Sequence, residues 1–198
     1  MARESGETQR ERMLAGEPYA PGDPELVAAR RRALALCQRF DTVGEEERDA
    51  ILRDLLGEVG PGAAVLPPLR CDYGSQITLG PRSFVNFGLV ALDAAAVTIG
   101  ADVQIGPNVQ LLTSTHPLRA AERRSGMEGA KPITLGDDVW LGGGVIVCPG
   151  VSIGARTVVG AGAVVVRDLP VGVLAAGNPA RFVRELEPAD AALRDRPS

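Results

Sequence analysis

Apolar residues recur along most of this chain at a spacing of six. From Val97 the sequence runs Val97-Thr-Ile99-Gly100, Val103-Gln-Ile105-Gly106, Val109-Gln-Leu111, with aliphatic side chains at the first and third positions of each hexad. The rhythm stops there, and a polar stretch containing Thr113-Ser-Thr-His116-Pro117 runs to about Lys131. It resumes at Ile133-Thr-Leu135-Gly136 and continues through Val139, Val145, Val151, Thr157 and Ala163. Looser hexads lie upstream at Ile77-Thr-Leu79-Gly80 and Phe84-Val85-Asn86. Two apolar positions per hexad predict strands of two or three residues, followed by tight turns in which Gly, Asn or Asp accepts a positive φ. Such a strand cannot bury a face alone and must stack on its equivalent one coil away. The repeat from about 63 to 177 therefore predicts a solenoid.

Upstream the period changes to that of a helix. Asp23 precedes Pro24 at a first helical position, with Glu25 in the first turn. Leu26, Val27, Leu34, Leu36, Cys37 and Phe40 then supply an apolar stripe. Gly44 separates a second helix over Glu45–Leu56, with Ile51, Leu52, Leu55 and Leu56 on one side and Gly57 near its end. These readings divide the chain into a flexible N-terminus (1–12), a helical segment (13–60), a repeat domain (61–186) with a loop at 112–132, and a tail (187–198).

Composition narrows the picture. The 198 residues suffice for one domain with a real core. Hydrophobic residues make up 45% and aromatics only 4%, so Val, Ile, Leu and Ala must fill that core. A formal net charge of −4 argues against generic nucleic-acid binding, and Arg30-Arg31-Arg32 reads as the solvated face of a helix. The N-terminus is too charged for a secretory leader, and no apolar run approaches the ~20 residues that span a bilayer. Cys37, Cys71 and Cys148 are odd in number and unpatterned, suggesting neither a disulfide framework nor a zinc site. A cytoplasmic protein with reduced thiols is expected. His116 is the only histidine, and it sits in the one break of the repeat. Imidazole is the side chain whose ordinary titration range, about 6.5, suits it to accept and return a proton near neutrality.

A hexad of aliphatic-Gly-x4 form resembles the hexapeptide-repeat acyltransferases. The match extends to ordered segments of the maltose and galactoside O-acetyltransferase family. Met13-Leu14-Ala15-Gly16-Glu17-Pro18-Tyr19, followed by Asp23-Pro24-Glu25-Leu26, is similar to that family's helical N-terminal segment. Arg70-Cys71-Asp72-Tyr73-Gly74, Phe84-Val85-Asn86-Phe87, Thr115-His116-Pro117, Lys131-Pro132-Ile133, Val139-Trp140-Leu141-Gly142-Gly143 and Gly177-Asn178-Pro179-Ala180-Arg181 follow in the same order. The resemblance implies a mainly β fold: a left-handed parallel β-helix of three hexads per triangular coil, with a small N-terminal helical segment. Its handedness comes from the family, since ordinary crossovers are right-handed. It further implies acetyl-CoA as co-substrate, no metal, and a homotrimer with active sites between subunits. The acceptor would be a sugar hydroxyl of maltose, glucose or galactoside type.

By the same resemblance His116 is the catalytic base and Asn86 helps to hold the acceptor hydroxyl or the acetyl donor. Asp72, Asp93 and Asp23 are candidate sugar-binding residues, because carboxylates accept well from vicinal hydroxyls. Tyr19-Ala20-Pro21-Gly22-Asp23 lacks an acid at the earlier position where relatives carry one, which leaves the sugar preference open. Gly143 would present a backbone N–H to the thioester region, and Ala161 would line the pantetheine arm. Val166-Arg167 falls where relatives often have Thr-Lys; Val166 loses the hydroxyl while Arg167 keeps a charge for phosphate. Arg181 and Arg184 suit the nucleotide end of the coenzyme. Trp140 and Cys148 read as packing residues. A carbonic anhydrase on the same helix would need three histidines for zinc. Two alternatives stay open: another acceptor (antibiotic, amino sugar or envelope glycan), or a non-catalytic β-helical scaffold.

Overall fold

The computed structural model describes residues 6–186. The expected tail at 187–198 and the first five residues lie outside the described residues.

Three helices open the chain: α1 (Gln9–Leu14), α2 (Pro24–Thr42) and α3 (Glu45–Leu55). Helix α1 falls partly within the stretch expected to be flexible. Its start is fixed by a capping box, in which the Thr8 side chain accepts from the Glu11 N–H and the Glu11 carboxylate from the Thr8 N–H. Asp23 caps α2 as expected, accepting the Glu25 N–H at 2.9 Å with Pro24 at the first helical position. The buried stripe of α2 is Leu26, Ala33, Leu36, Cys37 and Phe40. Leu34 was expected in it but is 50% exposed, because one residue step rotates it by 100° from Ala33.

The rest is a six-coil parallel β-helix with three faces. Coil one contains β1 (Glu58–Val59), β2 (Ala64–Val65) and β3 (Leu69–Cys71). Coil two contains β4 (Ile77–Leu79), β5 (Phe84–Val85) and β6 (Leu89–Leu92). Coil three contains β7 (Val97–Ile99), β8 (Gln104–Ile105) and β9 (Gln110–Leu112). A loop then carries β10 (Ser114–Thr115), a short helix α4 (Ala120–Arg123) and β11 (Gly129–Ala130). Coil four resumes with β12 (Ile133–Leu135), β13 (Trp140–Leu141) and β14 (Ile146–Val147). Coil five contains β15 (Ser152–Ile153), β16 (Val158–Val159) and β17 (Val164–Val165). The last coil has β18 (Val173–Ala176), against which β19 (Arg181–Glu185) turns back antiparallel.

Face I is β1-β4-β7-β12-β15, face II is β2-β5-β8-β13-β16-β18 closed by β19, and face III is β3-β6-β9-β14-β17. Strand β1, inside the expected helical segment, already pairs with β4 and starts the first coil at Glu58. The inward positions stack in register; Ile77, Val97 and Ile133, for example, lie one above another. Val97, Val103, Val109, Leu111, Ile133, Val139, Leu141, Val145 and Val147 are fully buried. Each such aliphatic contributes about 1.5–3 kcal/mol relative to exposure. Alternation sends their neighbours outward. Trp140, expected to pack, is therefore 54% exposed beside buried Leu141, whereas Cys148 does lie against the core. The turn glycines are dictated by the stacking. A Cβ on Gly136 would lie 2.6 Å from the Ala155 nitrogen on the next coil. Where turns need positive φ without glycine, Asp102, Asn108 and Asp138 supply it at φ 57–58°, and Arg82 and Arg156 at φ 55° and 59°.

Candidate active site

The break in the repeat is a tied loop. Its neck is closed by the Lys131 N–H donating to the Thr113 carbonyl at 2.9 Å, and β10 pairs antiparallel with β11. Thr113 is wholly buried; its hydroxyl donates to the Leu92 carbonyl at 2.6 Å and accepts the Ala95 N–H at 3.0 Å. These bonds hold the start of the loop against coil two. His116 directly follows β10 and is exposed. The turn beyond it is held by Arg123, which donates to the carbonyls of Pro117 and Leu118.

His116 lies on the edge where face III passes to face I, and two predicted carboxylates share that edge. Asp72 follows β3, and Asp93 follows β6 one coil below. Asp93 is completely buried, and its oxygens accept the backbone N–H groups of Asp72 (3.0 Å), Tyr73 (2.8 Å) and Gln76 (3.2 Å). Expected as a sugar ligand, it is engaged inward and shapes the Asp72 turn. Burial raises its pKa, against the opposing effect of those N–H bonds. Asp72 is half-buried. Burial and then Asp93 push its pKa up to about 6, with Glu128 adding and Arg30 opposing. Asp23, the third predicted acid, caps α2 with its carboxylate.

Several residues at this edge escaped the sequence reading. Arg30, read as solvated, donates to the Tyr73 hydroxyl at 2.8 Å and the Pro21 carbonyl at 2.5 Å. The Tyr19 hydroxyl donates to Glu128 Oε2 at 3.1 Å, and burial followed by the Glu128 charge raises the Tyr19 pKa. Tyr19 and Tyr73, the chain's two tyrosines, both pack in a small cluster with Met13, Leu26, Ala94, Ala95 and Ala130. One signal was available: both tyrosines fall in segments that carry the family resemblance.

The other predicted residues are spread over three places. Asn86 follows β5 at the opposite edge of face III, where face II passes to it, and its side-chain oxygen accepts the Phe87 N–H at 2.7 Å. Gly143 and Ala161 follow β13 and β16 on that same edge, linked by the Gly162 N–H donating to the Gly143 carbonyl at 2.9 Å. A Cβ at Gly143 would lie 3.3 Å from the Pro107 carbonyl oxygen, so glycine keeps the wall shallow there. Arg181 and Arg184 sit on exposed β19 at the end of the helix. Val166 and Arg167 follow β17, back on the His116 edge, both exposed. Within one chain the structure thus strings His116, Asp72, Asp93, Val166 and Arg167 along one edge, on successive coils, and Asn86, Gly143 and Ala161 along another. The two edges are separated by the width of face III, roughly 15 Å at ~3.3 Å per strand residue.

A parallel β-helix of hexads, interrupted once by a loop that carries a histidine, defines a hexapeptide-repeat acetyltransferase. Residues 132–167 match the bacterial transferase hexapeptide model and residues 12–60 the maltose acetyltransferase hexapeptide capping motif. The galactoside O-acetyltransferase of Escherichia coli K12 is 38% identical over 183 residues, covering 91% of this chain and 90% of that protein. A maltose O-acetyltransferase structure from Clostridium difficile 630 superposes with a TM-score of 0.90 at 42% identity, over 92% of this chain and 99% of that one. An acetyltransferase from Vibrio cholerae O1 biovar eltor, crystallised with acetyl coenzyme A, gives 0.87 at 40% identity, over 92% and 100%. The chain belongs to the maltose and galactoside O-acetyltransferase family.

Proposed function

We propose that the protein transfers an acetyl group from acetyl-CoA to a hydroxyl of a maltose-, glucose- or galactoside-like sugar, with His116 as general base. The observation that carries this reading is the placement of the chain's one imidazole. It stands exposed on a tied loop, at the same edge as a half-buried carboxylate, Asp72. A sugar hydroxyl is too weak an acid to lose its proton unaided at neutral pH, so attack on a thioester needs a base in contact with it. His116 takes that proton as the hydroxyl oxygen bonds to the acetyl carbon. The tetrahedral intermediate then expels the coenzyme thiolate, and the imidazolium returns the proton to sulfur. The Gly143 N–H and the Asn86 amide supply donors for the oxyanion and the acceptor. Ala161 and Val166 line the pantetheine arm, and Arg167, Arg181 and Arg184 pair with the phosphates. Val166 offers no hydrogen bond there.

Because the two groups of residues lie on different edges of one chain, we place each site between neighbouring copies in a homotrimer. One copy then offers its His116 edge to the Asn86 edge of the next. Asp72, on the His116 edge, binds sugar hydroxyls, while Asp93 and Asp23 act through the backbone they hold. No helix among the described residues is long and apolar enough to cross a membrane. The free thiols of Cys37, Cys71 and Cys148 support a cytoplasmic location.

The test is coenzyme A release from acetyl-CoA with a panel of sugars, comparing wild type with His116→Ala. A fall of about 10²–10⁴-fold in turnover is expected for a positioned base. Near wild-type turnover in the variant overturns the assignment. A thermal midpoint unmoved by acetyl-CoA would favour a non-catalytic scaffold instead.

A further inference from the structure

Proton and acetyl transfer as proposed use no side chain of the N-terminal segment directly, yet two of its residues, Tyr19 and Arg30, bond to the acceptor edge. Tyr19 and Glu128 exchange backbone hydrogen bonds in both directions, each 3.0 Å, and the Tyr19 hydroxyl adds a third bond to Glu128 Oε2 at 3.1 Å. Tyr19 is 1% exposed. A phenylalanine would fill the same space; the hydroxyl is spent on a carboxylate of the loop. Glu128 lies twelve residues beyond His116 in the excursion from coil three. Beyond the neck bond and the β10–β11 pairing, this clasp fastens the loop to the α1–α2 connection outside itself. The nineteen residues from Thr113 to Lys131 inclusive carry considerable conformational entropy, and every outside contact narrows the positions open to His116.

Arg30 makes a second such fastening. It stands on α2, with its guanidinium carbon 5.7 Å from the Tyr73 ring centroid and one nitrogen on the Tyr73 hydroxyl. A second nitrogen holds the Pro21 carbonyl, so one cation joins the α1–α2 connection to the Asp72–Tyr73 turn. Tyr73 is 5% exposed, and its N–H is one of those held by Asp93. Side chain and backbone of Tyr73 are thus gripped from two sides, leaving Asp72 one residue away in a defined place.

We propose that Tyr19 and Arg30 are positioning residues for acetyl transfer: Tyr19 sets the His116 loop through Glu128, and Arg30 sets the Asp72 turn through Tyr73. The proposal rests on the assignment of His116 and Asp72 to the acceptor half of the reaction. It gives the helical segment a catalytic purpose beyond covering the end of the solenoid.

Two conservative variants of the full chain test it, Tyr19→Phe and Arg30→Gln. Amide hydrogen exchange in the absence of substrate reads the brace without reference to the reaction. Tyr19→Phe should speed exchange across 113–131, and Arg30→Gln across 72–76, with the solenoid strands of coils four and five unchanged. Kinetics with acetyl-CoA and either maltose or methyl β-galactoside read its consequence. Tyr19→Phe should lower kcat about tenfold and Arg30→Gln should raise the sugar KM about fivefold, with the acetyl-CoA KM within about twofold of wild type in both. Loop exchange unchanged in Tyr19→Phe overturns the brace. So does a lowered thermal midpoint with kcat and sugar KM intact, which would mark both residues as packing alone. Full activity in His116→Ala with the exchange changes still present would instead overturn the assignment of the base and leave the brace standing.

Discussion

Asp93 and Tyr73 are joined by a 2.8 Å hydrogen bond from the Tyr73 N–H to a carboxylate with no exposed surface. The same oxygen takes the Asp72 N–H, and the other takes that of Gln76, so one buried acid closes the turn that presents Asp72. Asparagine at this position would keep one acceptor but turn an NH2 toward a backbone donor. Asp93→Asn should therefore cost about 1–3 kcal/mol in urea unfolding, the penalty for an unsatisfied buried group. It should also raise the sugar KM with little effect on that for acetyl-CoA. An unchanged urea midpoint would contradict this account of the turn.

Asp72 gives a pH dependence whose sign can be worked out. In the fold its carboxyl holds a proton up to about pH 6, through burial and the nearby Asp93 and Glu128, with Arg30 opposing. In the unfolded chain it ionises near pH ~3.9. Between these values the folded state binds more protons, so stability falls as pH rises from about 4 to about 6 and is level beyond. Asp93 is shifted in the same direction and adds to the trend. Comparing urea midpoints of wild type and Asp72→Asn across this range isolates the contribution: the variant should show a flatter decline. In the assay, the wild-type sugar KM should rise as pH drops below about 6, since a protonated Asp72 offers hydroxyls a poorer acceptor.

Stacking of coils predicts which glycines are indispensable. Gly136→Ala would place a Cβ 2.6 Å from the Ala155 nitrogen and 2.9 Å from its Cα, both backbone atoms that hold the next coil. Overpacking of this kind costs about 1–3 kcal/mol. Gly22→Ala, where a Cβ meets nothing within 4 Å, is the matched control and should unfold like wild type. Equal thermal midpoints for the two variants would show that the coil spacing is softer than the register implies.

The solenoid was legible because its hexads are a direct image of the stacking, with inward Val97, Val103 and Val109 each repeated one coil later. The acceptor edge was less so, for identifiable reasons. Arg30 stood in a run of three arginines whose sequence gives no hint that helix rotation turns one of them toward Tyr73. Glu128 lay in a polar stretch without periodicity, and its partner Tyr19 is more than a hundred residues away in sequence, a distance no local pattern spans. Asp93 looked like a ligand because it is an acid near a site; only its burial revealed that the backbone consumes its oxygens. Trp140 looked like core because tryptophan is large and apolar, while strand alternation beside Leu141 decided otherwise.

The separation of His116 from Asn86 carries the strongest prediction about assembly. In one chain the two lie on opposite edges of face III, and no rotamer closes a gap of roughly 15 Å. On the proposed intersubunit site, His116→Ala and Asn86→Ala each disable every site in a trimer of their own kind. Co-expressed in equal amounts, they should mix. A site that draws its histidine from one copy and its asparagine from the next is then intact at about one interface in four. Activity should recover to about a quarter of wild type, against a few percent or less for either variant alone. Sites built within single chains would show no recovery, because every chain would still lack one of the two residues. Once differently tagged variants are purified sequentially so that only mixed trimers remain, one interface in three is intact and recovery should reach about a third of wild type; failure to isolate mixed assemblies at all would argue equally against the trimer.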